Sequence, residues 1–439
     1  MCMSRAMGFT EYYSKFCHDH TGGTTNLVGI AGVNGPLSEE VLRRALVLMS
    51  ECHPALRAFL VESPQGDALI EIRGHLLHIP LEIKTKVVKE DWTVCFEESL
   101  QADFADGEVP WRVTLLQDGK NGGVQEIVAA FHHSLSDGIS LATFFGGLLE
   151  CCRLIIEERE PKTCRLMPLP ALEKMLCDRM SWPAFLARKT AVSTMQTLRL
   201  RKHFRPYERP VSLQDRKTRV LPCELDPELL EQLVFICRHR GTTLSGLLTA
   251  ALMISVYRNM DGPANRRASK QMAVTPVSLR QRCEPEVGLH QLGCYVGFAQ
   301  TTHVFDAGVD VWELACSFNR VLERCKRRGI LPPQRFSRKS LDKMLRSLEK
   351  GIFKDVFHYG VGVTNIGRLP YSPDFGEIHL ESFYFGTSRR WGDWLTLLHC
   401  STLEGKLFLN FCYAEPLLSP GSIADIADGF LSMLRSLAR

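Results

Sequence analysis

Apolar and polar positions alternate with a period of two in the first third of the chain. Arg57-Ala-Phe-Leu-Val61 and Asp67-Ala-Leu-Ile-Glu-Ile72 read as paired strands. Pro110-Trp-Arg-Val-Thr-Leu-Leu116 and the apolar run Val124–Phe131 (VQEIVAAF) are joined by Asp118-Gly119 and Asn121-Gly122-Gly123, which predicts a second hairpin with a buried strand. Helical spacing takes over elsewhere. Ser38, acidic Glu39 and Glu40, and apolar positions through Leu46 predict a capped amphipathic helix ending near Pro54. Ile139–Cys152 is largely apolar and predicts a buried helix that contains the adjacent Cys151 and Cys152.

Prolines break the pattern between Pro161 and Pro183. A basic segment follows, Arg199-Leu-Arg-Lys-His-Phe-Arg-Pro-Tyr-Glu-Arg209 and on to Arg216-Lys217, and reads as the connection between two halves. It is either a solvated crossing or a basic rim for a phosphate-bearing substrate. The expected division is an N-terminal lobe over 1–196, the connection over 197–217 and a C-terminal lobe over 218–439. In the second half, Leu225-Asp-Pro-Glu228 opens a helix and Thr242 through Tyr257 forms another. Strand candidates are Met272–Val277, Cys294–Thr301, Val361–Asn365, Tyr384–Gly386, Leu395–Leu398 and Leu407–Cys412, and Ser422–Leu437 is a closing amphipathic helix. Helices and strands mixed in both halves predict an α/β protein with mixed sheets.

Composition narrows the functional classes. With 439 residues, 45% hydrophobic and 23% charged, the chain is ordinary for a globular protein large enough for buried cores. A formal charge of +4 argues against an obligate nucleic-acid or anionic-membrane partner. The N-terminal MCMSRAMGFTEYYSKFC lacks the apolar core of a secretion signal, and no apolar run approaches the ~18 residues of a membrane span. The 16 cysteines are scattered without a CxxC pair, which predicts reduced thiols in a cytoplasmic protein and no zinc or other metal site. A monomer without stable membrane insertion is expected.

The chemistry concentrates in His132-His133-Ser134-Leu135-Ser136-Asp137-Gly138, immediately after the strand candidate Val124–Phe131. A histidine at a strand end is held on rigid backbone and can face a cleft as a general base, since its pKa near ~6.5 leaves it neutral and basic at working pH. Alternatives remain at this point. His133 could be a core histidine bonded to backbone, and Ser134 or Ser136 with Asp137 could be cast as a nucleophile and relay.

Set beside its surroundings, the heptad resembles the HHxxxDG motif of the condensation-domain and alcohol acetyltransferase superfamily, whose fold is shared with chloramphenicol acetyltransferase and other CoA-dependent acyltransferases. Further segments resemble the family in order along nearly the whole chain: Cys52-His53-Pro54-Ala55-Leu56-Arg57, Pro110-Trp111-Arg112-Val113, Gly241-Thr242-Thr243-Leu244, Thr275-Pro-Val-Ser-Leu-Arg280, Gly293-Cys-Tyr-Val-Gly297, Thr364-Asn365-Ile366-Gly367 and Tyr413-Ala-Glu-Pro-Leu-Leu-Ser419. Cys52 stands where the family's R-H-x-x-L-R segment has its first arginine, and Asp374-Phe375-Gly376 is too close to Thr364–Gly367 to count as the plant-type motif.

The resemblance implies two chloramphenicol-acetyltransferase-like lobes in a V around a central channel open at both ends. It implies acyl transfer from acyl-CoA to a hydroxyl acceptor, with His133 as general base, no covalent enzyme intermediate and no bound cofactor. Small-molecule alcohols or amines are the acceptors implied. The other implied readings are ester or amide formation from a carrier-protein thioester, and a catalytically inactive binding protein of the same fold. His132 is implied to face the interior and shape the loop. Asp137 is implied to pair with an arginine, for which Arg57 is a candidate. Gly138 would let the chain turn tightly into the next helix. Asn365 is a candidate donor to the developing oxyanion, and Arg389-Arg390-Trp391-Gly392 either touches a CoA phosphate or forms a solvated turn. The absence of a second heptad or an adenylation segment suggests a free-standing acyltransferase.

Overall fold

The hairpin anticipated from Pro110–Leu116 and Val124–Phe131 forms the middle of a sheet. Trp111–Asp118 and Gln125–Phe131 pair antiparallel, with Trp111 opposite Phe131. Leu27–Asn34 pairs with the other edge of Gln125–Phe131, placing Leu27 opposite the same Phe131. Both neighbours thus end where the heptad begins. The backbone carrying the histidines leaves a ladder bonded on both sides.

The computed structural model describes residues 3–23, 25–88, 91–105, 107–118, 123–159, 165–177, 205–261, 269–328, 339, 342–343, 356–391 and 394–438. The chain divides into two units, Met1–Cys177 with Leu279–Val296 and Ile366–Ser388, and Asp178–Ser278 with Gly297–Asn365 and Arg389–Arg439. Neither unit is continuous in sequence, so contiguous lobes over 1–196 and 218–439 do not describe them.

In the first unit a six-stranded sheet runs in the spatial order Asp374–Phe375, Ile378–Thr387, Leu27–Asn34, Gln125–Phe131, Trp111–Asp118, Leu81–Lys86. The last pair is parallel and the others are antiparallel, so the sheet is mixed. The candidate Tyr384–Gly386, placed by the sequence with the second half, belongs to this sheet. It lies in Ile378–Thr387, paired with Leu27–Asn34, and its neighbours Phe383 and Phe385 are fully buried. A three-stranded sheet of Met3–Ala6, Ala68–Ile72 and Ala58–Glu62 completes the unit's strands.

The helix after the heptad, Gly138–Ile156, lays Leu141, Phe144, Phe145, Leu148 and Leu149 into the core. Phe144 meets Phe131 edge-on at 5.0 Å and Phe145 meets Phe383 at 5.3 Å. Burying each such side chain contributes roughly 1.5–3 kcal/mol, so this packing anchors the start of the helix and with it the motif. Gly138–Ile156 is long and apolar enough to cross a membrane, because it is a core helix with few charges.

The expected capped helix is Glu39–Cys52, with Ser38 accepting from the Val41 N–H. The Pro54–Arg57 turn that follows is tied to the sheet by Trp111 Nε1, which donates to the Leu56 carbonyl at 2.8 Å.

The second unit is built on a seven-stranded sheet, in the order Val296–Phe305, Ser269–Ser278, Val356–Arg368, Trp394–Leu403, Lys406–Glu415, Lys217–Leu225, with Arg205–Pro206 pairing beside Val356–Arg368. Ser269–Ser278 and Val356–Arg368 are parallel, whereas the last three form an antiparallel meander. Helices Pro227–His239, Leu244–Asp261, Val311–Arg328 and Pro420–Leu437 pack with it. Leu244–Asp261 is buried on most sides, from Leu247 through Val256. Arg199, Arg201 and Lys202 of the basic segment lie outside the described residues. Arg216 is described, and its guanidinium donates to the carbonyls of Val211 and Trp391.

Candidate active site

His132 to Asp137 form a turn between the strand Gln125–Phe131 and the helix Gly138–Ile156. The turn is closed by the His132 N–H donating to Pro110 O and the Leu135 N–H donating to His132 O, at 2.9 and 3.0 Å. Asp137 is the N-cap of the helix, and its Oδ1 accepts from the Ser140 N–H at 2.7 Å. A capping carboxylate at a helix N-terminus is favourable both as a hydrogen bond and against the helix dipole.

Asp137 does more than cap. Its Oδ2 accepts from the Tyr295 N–H at 2.9 Å, and its Oδ1 meets the Arg280 guanidinium at 3.3 Å. Arg280 is 2% exposed and donates also to Ser140 Oγ at 2.7 Å and to the carbonyls of Gly288 and Gln291. Its guanidinium carbon lies 4.7 Å from the centre of the Tyr295 ring. Ser140 Oγ in turn donates to the Gly293 carbonyl. The arginine partner of Asp137 is therefore Arg280, not Arg57. Arg57 sits at the end of its short turn and gives its guanidinium to the carbonyls of Ser50, Arg73 and Gly74, so it cannot also reach the motif. With both carboxylate oxygens engaged this way, Asp137 is a structural clamp rather than the relay member of a triad.

His133 projects from this clamped turn and is half-buried. Burial holds its pKa below the usual histidine value, partly opposed by backbone hydrogen bonds at His133 and Ser136 and by the charge of Asp137. Its imidazole is therefore neutral at physiological pH and available to accept a proton. The buried thiol of Cys294 lies 3.9 Å from its Nδ1. Burial pushes that thiol well above its ordinary value, so it stays protonated.

His132 is 1% exposed. Burial drives its pKa well below the usual histidine range. Gly138 does not use a left-handed backbone. A Cβ there would lie 2.9 Å from Ile366 Cγ2, so glycine is required for close approach rather than for turning. Ser134 Oγ is 2.7 Å from His132 Nδ1 and is almost completely buried. It lines a small cavity of about 40 Å³ with His53, Leu135, Met167 and Tyr295.

Asn365 lies in the second unit on Val356–Arg368 and donates to Ser245 Oγ at 3.2 Å. Arg390 donates to the carbonyls of Arg216, Leu213 and Gln214, which makes it a brace of its own turn. Among the described residues no cluster of His, Cys, Asp or Glu has the arrangement of a metal site. The described cysteines are all free thiols. Arg280 and Tyr295 are the site residues that sequence reasoning missed. The resemblance placed Arg280 within Thr275–Arg280 without assigning it a role, and an unassigned arginine there was the available signal.

Comparison with known proteins places this geometry. Residues 214–410 match the family model described as the C-terminus of phthiocerol/phthiodiolone dimycocerosyl transferase. A nonribosomal peptide synthetase of Curvularia clavata is 28% identical over 263 residues, 58% of this chain and 2% of that protein. A phthiocerol/phthiodiolone dimycocerosyl transferase of Mycobacterium ulcerans is 24% identical over 297 residues, 65% of each chain. The chain thus spans less than two thirds of the length of either relative. Among solved structures, a trichothecene 15-O-acetyltransferase from Fusarium sporotrichioides superposes with a TM-score of 0.76 at 13% identity, covering 99% of this chain and 95% of that one. The first condensation domain of the calcium-dependent antibiotic synthetase gives 0.68 at 17% identity, covering 99% and 97%. The chain shares its fold with this acetyltransferase and this condensation domain.

Proposed function

We propose that this protein transfers an acyl group from a thioester, preferably acyl-CoA, to the hydroxyl of a small-molecule acceptor. His133 takes the hydroxyl proton as the oxygen attacks the thioester carbonyl; the C–O bond forms, the C–S bond breaks, and the proton passes from His133 to the departing thiolate. The acceptor adds directly, so no enzyme nucleophile is required. General-base assistance contributes roughly 10²–10⁴ in rate, with positioning supplying much of the remainder. The observation that carries the reading is a neutral, half-buried imidazole on a turn that is clamped from both sides by Asp137 and Arg280.

The test is an incubation of the full chain with acetyl-CoA and longer acyl-CoAs against a panel of alcohols, following release of free thiol. Release above background that disappears in His133→Ala supports the proposal, and no release with any donor and acceptor sinks it. A second reading is favoured by the peptide-synthetase match: condensation using a carrier-bound acyl group and an amine or hydroxyl acceptor. Turnover with acyl-pantetheine-loaded carrier protein, but not with acyl-CoA, would select it. The third, a binding protein without turnover, is the outcome in which a ligand binds and neither donor reacts.

A further inference from the structure

The inward-facing His132 takes no part in this reaction, yet its polar surroundings are incomplete in a specific way. Its Nδ1 accepts from the Ser134 N–H at 3.1 Å. A neutral imidazole whose Nδ1 is an acceptor carries its hydrogen on Nε2, and that Nε2 is buried with no hydrogen-bond partner among the described residues. The ring opposite is His18, on the helix Phe9–Thr21, with a centroid separation of 4.7 Å. His18 Nε2 lies 3.2 Å from Asp103 Oδ1. A carboxylate can only accept, so His18 Nε2 holds the hydrogen and its Nδ1 holds the lone pair. That Nδ1 is likewise buried and makes no well-formed hydrogen bond among the described residues, with the Asn26 side chain within hydrogen-bonding reach of the ring. A donor without a well-formed acceptor and an acceptor without a well-formed donor thus sit on two rings whose centres are 4.7 Å apart and whose planes are tilted by 58°. Buried groups of this kind are rarely left unmatched.

We infer that His18 is a positioning residue for the motif: its Nδ1 accepts the His132 Nε2 hydrogen, completing a chain Asp103–His18–His132–Ser134 that fixes the turn from which His133 projects. The inference rests on the reading of His133 as the base. It also provides an acid-sensitive element. A second proton on His18 occupies Nδ1, which can then no longer accept from His132 and finds an acceptor instead in Asn26 Oδ1, itself buried and unmatched among the described residues. Asp103 and Asp19 favour that cation, whereas burial opposes it more strongly and keeps His18 below the usual histidine value. Lys15 and His133 face His132 and disfavour a charge there. The chain is therefore intact at neutral pH and opens in acid.

Two readouts separate this inference from the proposed activity. In full-length protein labelled with ¹⁵N-histidine, His132 Nε2–H should appear as a protected downfield proton with a coupling to His18 Nδ1 that vanishes as His18 titrates. A folded protein without that coupling overturns the inference, whether or not turnover is found. In the acyl-transfer assay, His18→Phe should lower kcat roughly 10–100-fold with little change in KM. His18→Gln, whose amide can accept from His132 and donate to Asp103, should restore kcat. It should also reduce the acid limb of the pH profile from two ionisations to the one belonging to His133. Wild-type kcat in His18→Phe overturns the inference. If that variant does not fold, an unchanged acid limb in His18→Gln does the same.

Discussion

Asp137 holds three groups at once: the first turn of a helix, the backbone of Tyr295 and the side chain of Arg280. The Asp137–Arg280 pair is almost wholly buried, at 6% and 3% side-chain exposure. Removing one partner of such a pair leaves an uncompensated charge, which costs ~3–5 kcal/mol. Asp137→Ala should therefore lower unfolding free energy by about that amount in urea titrations, in addition to reducing turnover. Asp137→Asn with Arg280→Met keeps a capping oxygen and leaves neither charge stranded, so the double variant should be more stable than either single one. Unchanged stability in Asp137→Ala with lost turnover would contradict the clamp. At His133 the direction of the pKa shift gives a second expectation. Activity requires the neutral ring, and burial lowers its pKa, so the acid limb of kcat/KM should fall below pH ~6.5. A limb centred above that value would show an imidazole stabilised as the cation, contrary to its surroundings here.

At the scale of elements, the helix Phe9–Thr21 bears on the site because His18 projects from it, and its own N-terminus is held by two acidic side chains. Glu11 pairs with Arg5 and accepts from the Gly8 N–H, while Glu173 Oε1 accepts from the N–H and hydroxyl of Thr10. Burial, with Glu11 nearby, raises the Glu173 pKa from 4.5 to about 7. An acid bound more tightly to its proton in the folded state stabilises the fold below its unfolded pKa, and that contribution is lost as pH rises through the folded value. Tm should thus fall by roughly 5 °C between pH 5 and pH 8 from this group. Glu173→Gln should flatten the dependence, and a slope unchanged in that variant would exclude Glu173 as its source. These elements also show what the sequence could reveal. The two hairpins and the helices starting at Ser38 and Asp226 were legible because capping residues and periodicity act locally, and the closing helix was legible from its periodicity, although it starts at Pro420 behind a Ser419 cap rather than at Ser422. Phe9–Thr21 was missed: its N-cap is Gly8, which makes no side-chain cap bond, and polar residues such as Glu11, Ser14 and His18 are buried on it. Val311–Arg328 was also missed, although Val311, Leu314, Ala315, Phe318 and Leu322 follow the helical period and were a usable signal. In the site, the heptad was legible because it is contiguous. Arg280 was not, because it meets Asp137 from 143 residues away and no local pattern encodes that pairing.

The whole molecule departs furthest from its linear reading in how the units are assembled. The first unit is finished only when the chain returns twice, with Leu279–Val296 and Ile366–Ser388. The first return delivers Arg280 and Tyr295 to Asp137, and Cys294 to His133. The second delivers Ile378–Thr387 to the edge of Leu27–Asn34, from Leu27↔Thr387 to Asn34↔His379, and inserts Phe383 and Phe385 into the core. A fragment ending at residue 196 would contain the entire heptad and both hairpins, yet it would lack all of this. Leu27–Asn34 would become an unpaired edge of buried-type residues, which invites association. Phe145 would lose its edge-on contact with Phe383, and Asp137 would retain only its capping bond. Each loss is worth a few kcal/mol against a total stability of about 5–15 kcal/mol, so together they exceed what the fragment could tolerate. The fragment is expected to show no cooperative thermal transition by circular dichroism and to elute as aggregate in gel filtration, while the full chain melts cooperatively. A soluble 1–196 fragment with a sharp transition would mean that the returning segments decorate a complete unit rather than complete it. The clamp on the histidine turn would then have to be built from residues nearer in sequence than Arg280 and Tyr295.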